Sequence, residues 1–330
     1  MITFVAVHIV ILLLLNCHRD ISYKFSSISR VNRRTFDKVF VALSEDKVNK
    51  ETTAAVPSGN TVLRYLEANS WELRLGDINI AIDPVFDQLD FGVPALYRGN
   101  RKYLDSAAEL KSLAVRTDFV FISQGFDDHA HKPTLKKLVV LNNSLRYLCP
   151  PSAKKALVDS GINEAMITTI LPGQNFVFSK DETEIEVVAT TGALLGPPWQ
   201  QKENGYIMRP TERSSKPFKS VYYEPHCMFD EAELSNYTAD VVITPVVSVR
   251  IPNYTILGGG PKALQLAELL KASYIVPMSN WDLEERGLLK RIVRLVGSED
   301  SFKNLVKSKY FLKPKIQVVS ATPGQYLNLQ

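Results

Sequence analysis

From Val62 onward the apolar positions come in short runs broken by polar ones. Val62–Glu67, Trp71–Leu75 and Asn79–Ile82 are rich in aliphatic and aromatic residues. Asn69-Ser70 and Gly76-Asp77 interrupt them, and that spacing predicts a three-strand meander. A helical stretch, Asp105–Leu113, follows a loop holding Gly92, Pro94 and Gly99. Phe119–Ile122 reads as a buried strand that stops at the turn residues Ser123 and Gly125. Pro133 stands in the first turn of the helix expected over Thr134–Leu141.

Beyond that point strands and helices alternate. Strands are expected at Leu145–Cys149, Thr168–Leu171, Asn175–Phe178, Glu184–Ala189, Tyr206–Met208, Ser220–Tyr223, Asp240–Pro245, Tyr274–Pro277 and Ile316–Ser320. Helices are expected from Pro151-Ser152 to about Ser160, at Asp230–Leu234, Lys262–Leu270, about Asp282–Leu295, and Ser301–Lys307. Residues 190–204 form a long loop carrying Gly192, Gly196, Pro197, Pro198 and Trp199. Trp199 is either the apolar wall of a lid or a buried anchor. The order meander, alternation, β-rich half, alternation predicts two stacked sheets with helices outside.

The beginning of the chain has a different pattern. Ile2–Leu15 is almost wholly apolar but shorter than the ~20 residues of a spanning helix, so 1–17 resembles a signal peptide. Residues 18–60 read as a transit-like basic leader and a polar linker, with Lys24, Arg30, Arg33, Arg34 and Lys38 against one acid, Asp37, over 21–44. A two-part leader of this kind implies the secretory route to a plastid of secondary origin. A plain signal peptide with a disordered linker, leading outside the cell or to an endomembrane lumen, is the alternative. Either reading expects a folded domain over 61–330 with no stable membrane span.

Net charge is +4, and residues 1–50 hold 8 basic and 4 acidic residues. Taking 8 from 39 and 4 from 35 leaves 31 of each for the body. The body therefore has no overall basic character to suggest a nucleic-acid partner. Cys149 and Cys227, the two cysteines beyond the leader, are too sparse for a disulfide framework and are expected to be free.

Two polar clusters stand at strand ends. The first, Asp127-Asp128-His129-Ala130-His131, follows Phe119–Ile122; the second, Glu224-Pro225-His226-Cys227, follows Ser220–Tyr223. If their loops meet, Asp128, His129, Glu224 and His226 supply four N/O groups for one divalent metal, zinc first, with iron or manganese as alternatives. The other possibility is solvated loop residues with no cofactor. Asp83, before Pro84, either orients a neighbouring loop or caps a turn. There is no Gly-x-Ser-x-Gly elbow, phosphate loop or dinucleotide fingerprint.

With the meander ending in Ile82-Asp83-Pro84, the strand leading into Asp128-His129 and the later strand leading into a polar turn, the chain over about 61–320 resembles the metallo-β-lactamase superfamily. It looks most similar to the lactonase-like branch, related to L-ascorbate-6-phosphate lactonases. The resemblance implies a four-layer αββα sandwich of the α+β or α/β class, with a metal site between the sheet edges. The family's Thr-His-x-His-x-Asp-His signature is incomplete here, because Gln124 and Phe126 stand where its first two histidines belong and only Asp128 and His129 match. Its last histidine falls near Ser279 or Asn280. Three histidines outside the leader are too few for the family's two-metal site. The expectation is a hydrolase of a small ester, lactone or phosphate-bearing substrate with one metal on Asp128, His129 and His226, and Glu224 available. Asp128 doubles as catalytic base. Asp83, Gln124, His131, Trp199 and Asn280 are expected to flank the metal or touch substrate. A non-catalytic binding protein that kept the fold and lost the chemistry is the alternative.

Overall fold

In a computed structural model, residues 60–194, 202–252, 254–312 and 315–329 are described. The leader and linker expected over 1–60 lie outside them except for Asn60, and Trp199 lies outside them as well. The first half of the domain runs β1 (Thr61–Tyr65), β2 (Trp71–Leu75), β3 (Ile78–Ile82), β4 (Arg98–Asn100), α1 (Ser106–Arg116), β5 (Phe119–Phe121), α2 (Lys132–Leu141), β6 (Arg146–Cys149), α3 (Pro151–Asp159) and β7 (Ile167–Thr169). It continues with β8 (Asn175–Lys180), β9 (Thr183–Thr191), β10 (Asn204–Pro210), β11 (Val221–Tyr223), α4 (Glu231–Leu234), β12 (Val241–Pro245), β13 (Ser248–Ile251), β14 (Tyr254–Leu257), α5 (Pro261–Leu269) and β15 (Tyr274–Met278). The last elements are β16 (Glu284–Arg286), β17 (Arg294–Val296), α6 (Glu299–Lys309), β18 (Gln317–Val318) and β19 (Tyr326–Asn328).

Two seven-stranded sheets organise these elements, in the orders β19-β1-β2-β3-β5-β6-β7 and β18-β15-β12-β11-β10-β9-β8. In the first, β1 to β3 pair antiparallel and β3, β5, β6 and β7 run parallel. In the second, β8 to β11 are antiparallel and β11, β12 and β15 parallel. Alternation along each strand sends side chains to opposite faces. Phe119 and Phe121 of β5 therefore enter the core between the sheets with Leu73, Ile80, Val187, Met208 and Ile243. Val120 and Ile122 face outward onto Leu113, Leu135 and Leu157 of α1, α2 and α3. On the other side Tyr222, Val242 and Ile275 pack under Leu264 of α5 and Phe302 of α6. Each fully buried side chain of this size contributes about 1.5–3 kcal/mol. The result is the four-layer αββα sandwich that the family resemblance implies.

One expected helix is not formed. The apolar spacing of Leu288, Leu289, Ile292 and Leu295 suits a helix, yet Asp282–Leu295 holds β16, a short 3-10 turn and β17. Gly287, at φ 110°, interrupts a helix there, and pairing of β16 with β4 and β17 with β13 captures the extended pieces. Strands β4, β13, β14 and β19 fall where the sequence signal was loop or silent. Cys149 and Cys227 are buried and free.

Candidate functional site

The parallel strands β3 and β5 of one sheet, and β11 and β15 of the other, deliver their carboxyl-end loops to one edge of the sandwich. That is where α/β sheets place chemistry. The β1–β2 turn comes to the same edge with Asn69.

Asp83 ends β3 in the left-handed region, at φ 44°, and is completely buried. Its Oδ1 accepts the Ser123 backbone N–H at 2.7 Å. Its Oδ2 accepts from Ser123 Oγ at 2.5 Å and from the Tyr223 hydroxyl at 2.7 Å, and lies 2.7 Å from His129 Nδ1. This carboxylate fixes the His129 ring. The turn that carries His129 is closed by His129 N–H and Ala130 N–H donating to the Phe126 carbonyl. Gly125 lets that loop lie against α3, because a Cβ there would come within 2.7 Å of the Ser152 carbonyl oxygen.

On its other side His129 Nε2 lies 3.4 Å from Asp128 Oδ2, so the imidazole sits between two carboxylates. Burial works against charge on His129, but Asp128 and Asp83 outweigh it and push its pKa up to about 10. Burial would likewise raise the Asp128 carboxyl, yet His129 holds it below its ordinary value. Asp128 is therefore a carboxylate at neutral pH. Asp128 keeps 28% of its side chain exposed and lines a small pocket of about 30 Å³.

His226 reaches the same pocket from the β11 loop. Gln124 Nε2 lies 2.6 Å from its Nδ1 and donates to it, and the His129 and His226 ring centroids are 5.4 Å apart. Burial, reinforced by the charge on His129, lowers the His226 pKa to about 3, so this ring is neutral. The loop is anchored by Gly258, whose N–H donates to the His226 carbonyl at 2.7 Å. Asn280, just beyond β15, donates to the Pro225 carbonyl at 2.9 Å and to Asn69 Oδ1 at 2.5 Å. The apolar part of the pocket is formed by Leu89, Phe91, Tyr97, Ile256, Trp281 and Leu283.

The expected donor set is not gathered as expected. Glu224 turns away from the histidines: its Oε2 accepts the N–H groups of His226 and Met228, at 3.1 and 2.7 Å, within its own turn. Burial pushes its pKa up to about 8. His131 stands just before α2, with Nδ1 2.8 Å from Thr134 Oγ1, and does not line the pocket. Among the described residues no group of three or more His, Cys, Asp or Glu side chains is placed to hold a metal ion.

Asn69 is a further obstacle. Its Nδ2 lies 3.1 Å from His129 Nε2 and 3.4 Å from Asp128 Oδ2, forming the third corner about those two atoms. The amide is held in this orientation because Nδ2 donates to the Asp128 carbonyl at 3.0 Å and Oδ1 accepts from Asn280. An amide nitrogen brings N–H groups and no free lone pair, so it is not a ligand. The buried acceptors Gln124 Oε1, Asn280 Oδ1 and Glu224 Oε1 lack a donor among the described residues; the first two are weak neutral oxygens, and the Glu224 carboxylate belongs to no group of three or more ligand side chains, so they do not replace the lost histidines. The residues present thus do not fit the metal implied by the fold. Asn69, Ser123, Tyr223 and the apolar wall were not legible as site residues. Asn69-Ser70 reads as an ordinary turn, and its place beside Asp128 is set by sheet pairing.

Comparison with known proteins agrees with this architecture. A family model described as "Beta-lactamase superfamily domain" matches residues 62–279. No curated protein matches the chain. Among solved structures, Igni18, a metallo hydrolase from Ignicoccus hospitalis, is 17% identical, with a TM-score of 0.52 over 81% of this chain and 97% of that one. A possible metal-dependent hydrolase from Veillonella parvula is 12% identical, with a TM-score of 0.56 over 82% and 100%. CmlA, a diiron β-hydroxylase from Streptomyces venezuelae, is 15% identical, with a TM-score of 0.52 over 83% of this chain and 55% of that longer chain. At these identities the likeness is one of fold. The family match runs from β1 to just past β15, well over half of the residues, and the chain belongs to the β-lactamase superfamily domain family with the metallo-β-lactamase fold.

Proposed function

We propose that the chain is a divergent hydrolase of a small ester, lactone or phosphate-bearing molecule, with a site held by hydrogen bonds in place of a metal ion. The observation that carries this reading is that Asp128 and His226, from two separate loops, line one pocket together with Asn69 and Asn280. The likeness to Igni18, a metallo hydrolase, and to the Veillonella protein, a possible metal-dependent hydrolase, supports the reaction class, though not the absence of a metal. The leader composition favours a plastid-type compartment.

In this reading the ionised Asp128 orients the attacking water and takes its proton. His226 is neutral, and Gln124 donates to its Nδ1, so the ring proton sits on Nε2. Such a ring donates to the oxygen on which negative charge develops. Asp83, Ser123 and Tyr223 keep His129 fixed, and His129 keeps Asp128 charged. Phe91 and Trp281, partly exposed where the small pocket opens, meet the apolar part of the substrate at its mouth.

One observation favours a second reading. A general base works best with a pKa near the working pH, and His129 holds Asp128 well away from that range. Asp128 then serves recognition, and the protein binds a small polar ligand without turning it over. Assays with p-nitrophenyl acetate, γ-butyrolactone and p-nitrophenyl phosphate separate the two. Turnover that falls about 10²-fold in Asp128→Asn and in His226→Ala supports the hydrolase. Saturable binding without turnover, weakened by the same variants, supports the binding protein.

A further inference from the structure

The segment after the pocket wall carries a surface that the site does not use. Leu288, Ile292, Leu295 and Val296 are 57%, 43%, 61% and 45% exposed. Strand β17 is exposed at all three of its positions, although it pairs with β13. A strand bare in this way leaves apolar area in water that folding has done nothing to cover.

Basic residues are interleaved with these apolar ones. Lys290, Arg291 and Arg294 are exposed, and Arg294 stands directly opposite Arg250 in the β13–β17 pair. Like charges opposite each other across a ladder repel. Among the described residues no ion pair relieves Arg250 and Arg294: the neighbouring acids Glu284 and Glu299 are taken by Arg286 and Lys303, and Glu285 interacts with Lys290. The body as a whole is charge-balanced, so this is a local cationic patch.

The same segment backs the pocket. Leu289, the inward residue between Leu288 and Lys290, packs against the buried cluster that holds Leu89, Tyr97 and Leu283, and these three line the pocket. Whatever covers the outer face therefore lies next to the pocket wall.

We propose that the segment 286–296, with Arg250, is a docking surface for an anionic lipid bilayer. Aliphatic side chains enter the headgroup boundary while flanking Arg and Lys meet acidic headgroups, the usual composition of interfacial attachment. The contact is peripheral, since among the described residues no helix is long and apolar enough to cross a membrane. A single-stranded nucleic acid matches the charge but not the composition, because base stacking uses aromatic side chains and these are Leu, Ile and Val. A second copy of the chain pairing along β17 would set cationic strand against cationic strand. The proposal does not depend on whether the pocket turns over substrate.

Co-sedimentation with vesicles tests it. The full chain is expected to bind phosphatidylcholine vesicles containing phosphatidylserine about tenfold more tightly than phosphatidylcholine alone, and to be released by high salt. Ile292→Asp/Leu295→Asp and Arg291→Glu/Arg294→Glu each reduce binding about tenfold, with thermal melting unchanged because all four residues are surface-exposed. Equal binding to both vesicle types, no binding, or binding that survives both double variants overturns the proposal. So does a concentration-dependent dimer broken by Leu295→Asp, or RNA binding in the absence of vesicle binding.

Discussion

At the scale of single residues, the chemistry of the site turns on Asn69. Changing it to alanine removes the amide that faces Asp128 and His129 and leaves the Asp128 carbonyl without its side-chain donor. Losing that buried hydrogen bond is expected to cost about 1–3 kcal/mol in urea unfolding. Asn69→Asp has a further consequence, because it places a carboxylate at the third corner beside Asp128 and His129. Zinc is expected to raise the melting temperature of this variant and leave the wild type unmoved; equal shifts in both would show that the amide is not what excludes the ion. His129 gives a pH signature. Its folded pKa, about 10, lies above the ordinary value of about 6.5. The associated stability is fully present below pH ~6.5 and is lost as pH rises toward 10. Melting temperatures taken across that window should fall, and His129→Gln should flatten the fall.

At the scale of elements, two close approaches hold the loops in place. A Cβ on Gly125 would lie 2.7 Å from the Ser152 carbonyl oxygen, and one on Gly258 would lie 2.6 Å from that of Cys227. Neither obstacle is the end of a flexible side chain, so backbone must shift. Gly125→Ala and Gly258→Ala are each expected to destabilise by about 1–3 kcal/mol, with Gly258→Ala also displacing the His226 loop. A Cys227-side change seen by NMR or crystallography with no loss of stability would contradict this. Most of the elements were legible because strands buried on both faces, such as β5, β11 and β12, are short unbroken apolar runs bounded by turn residues. The stretch 282–295 was not legible. Its apolar spacing fits a helix, and only the pairing of β16 with β4 and β17 with β13 makes it extended.

At the scale of the whole molecule, the fold is a consequence of two amphipathic sheets burying their inner faces against each other and their outer faces under helices. That arrangement brings the Asp83, Asp128, His226 and Asn280 loops to one edge from stretches almost two hundred residues apart. Sequence patterning could place Asp128-His129 and Glu224-Pro225-His226 at strand ends. It could not tell which way Glu224 would turn, because that depends on the His226 and Met228 N–H groups within its own turn. Nor could it find the Asn69 amide, which approaches through sheet pairing and leaves no periodic mark. In the proposed reading hydrogen bonds, and not a metal ion, hold this site. The most direct test is the metal content of the chain, purified after growth with added zinc, iron and manganese, alongside His226→Ala. Well under one equivalent in both proteins is the expected result. About one equivalent in the wild type, lost in His226→Ala, would contradict it.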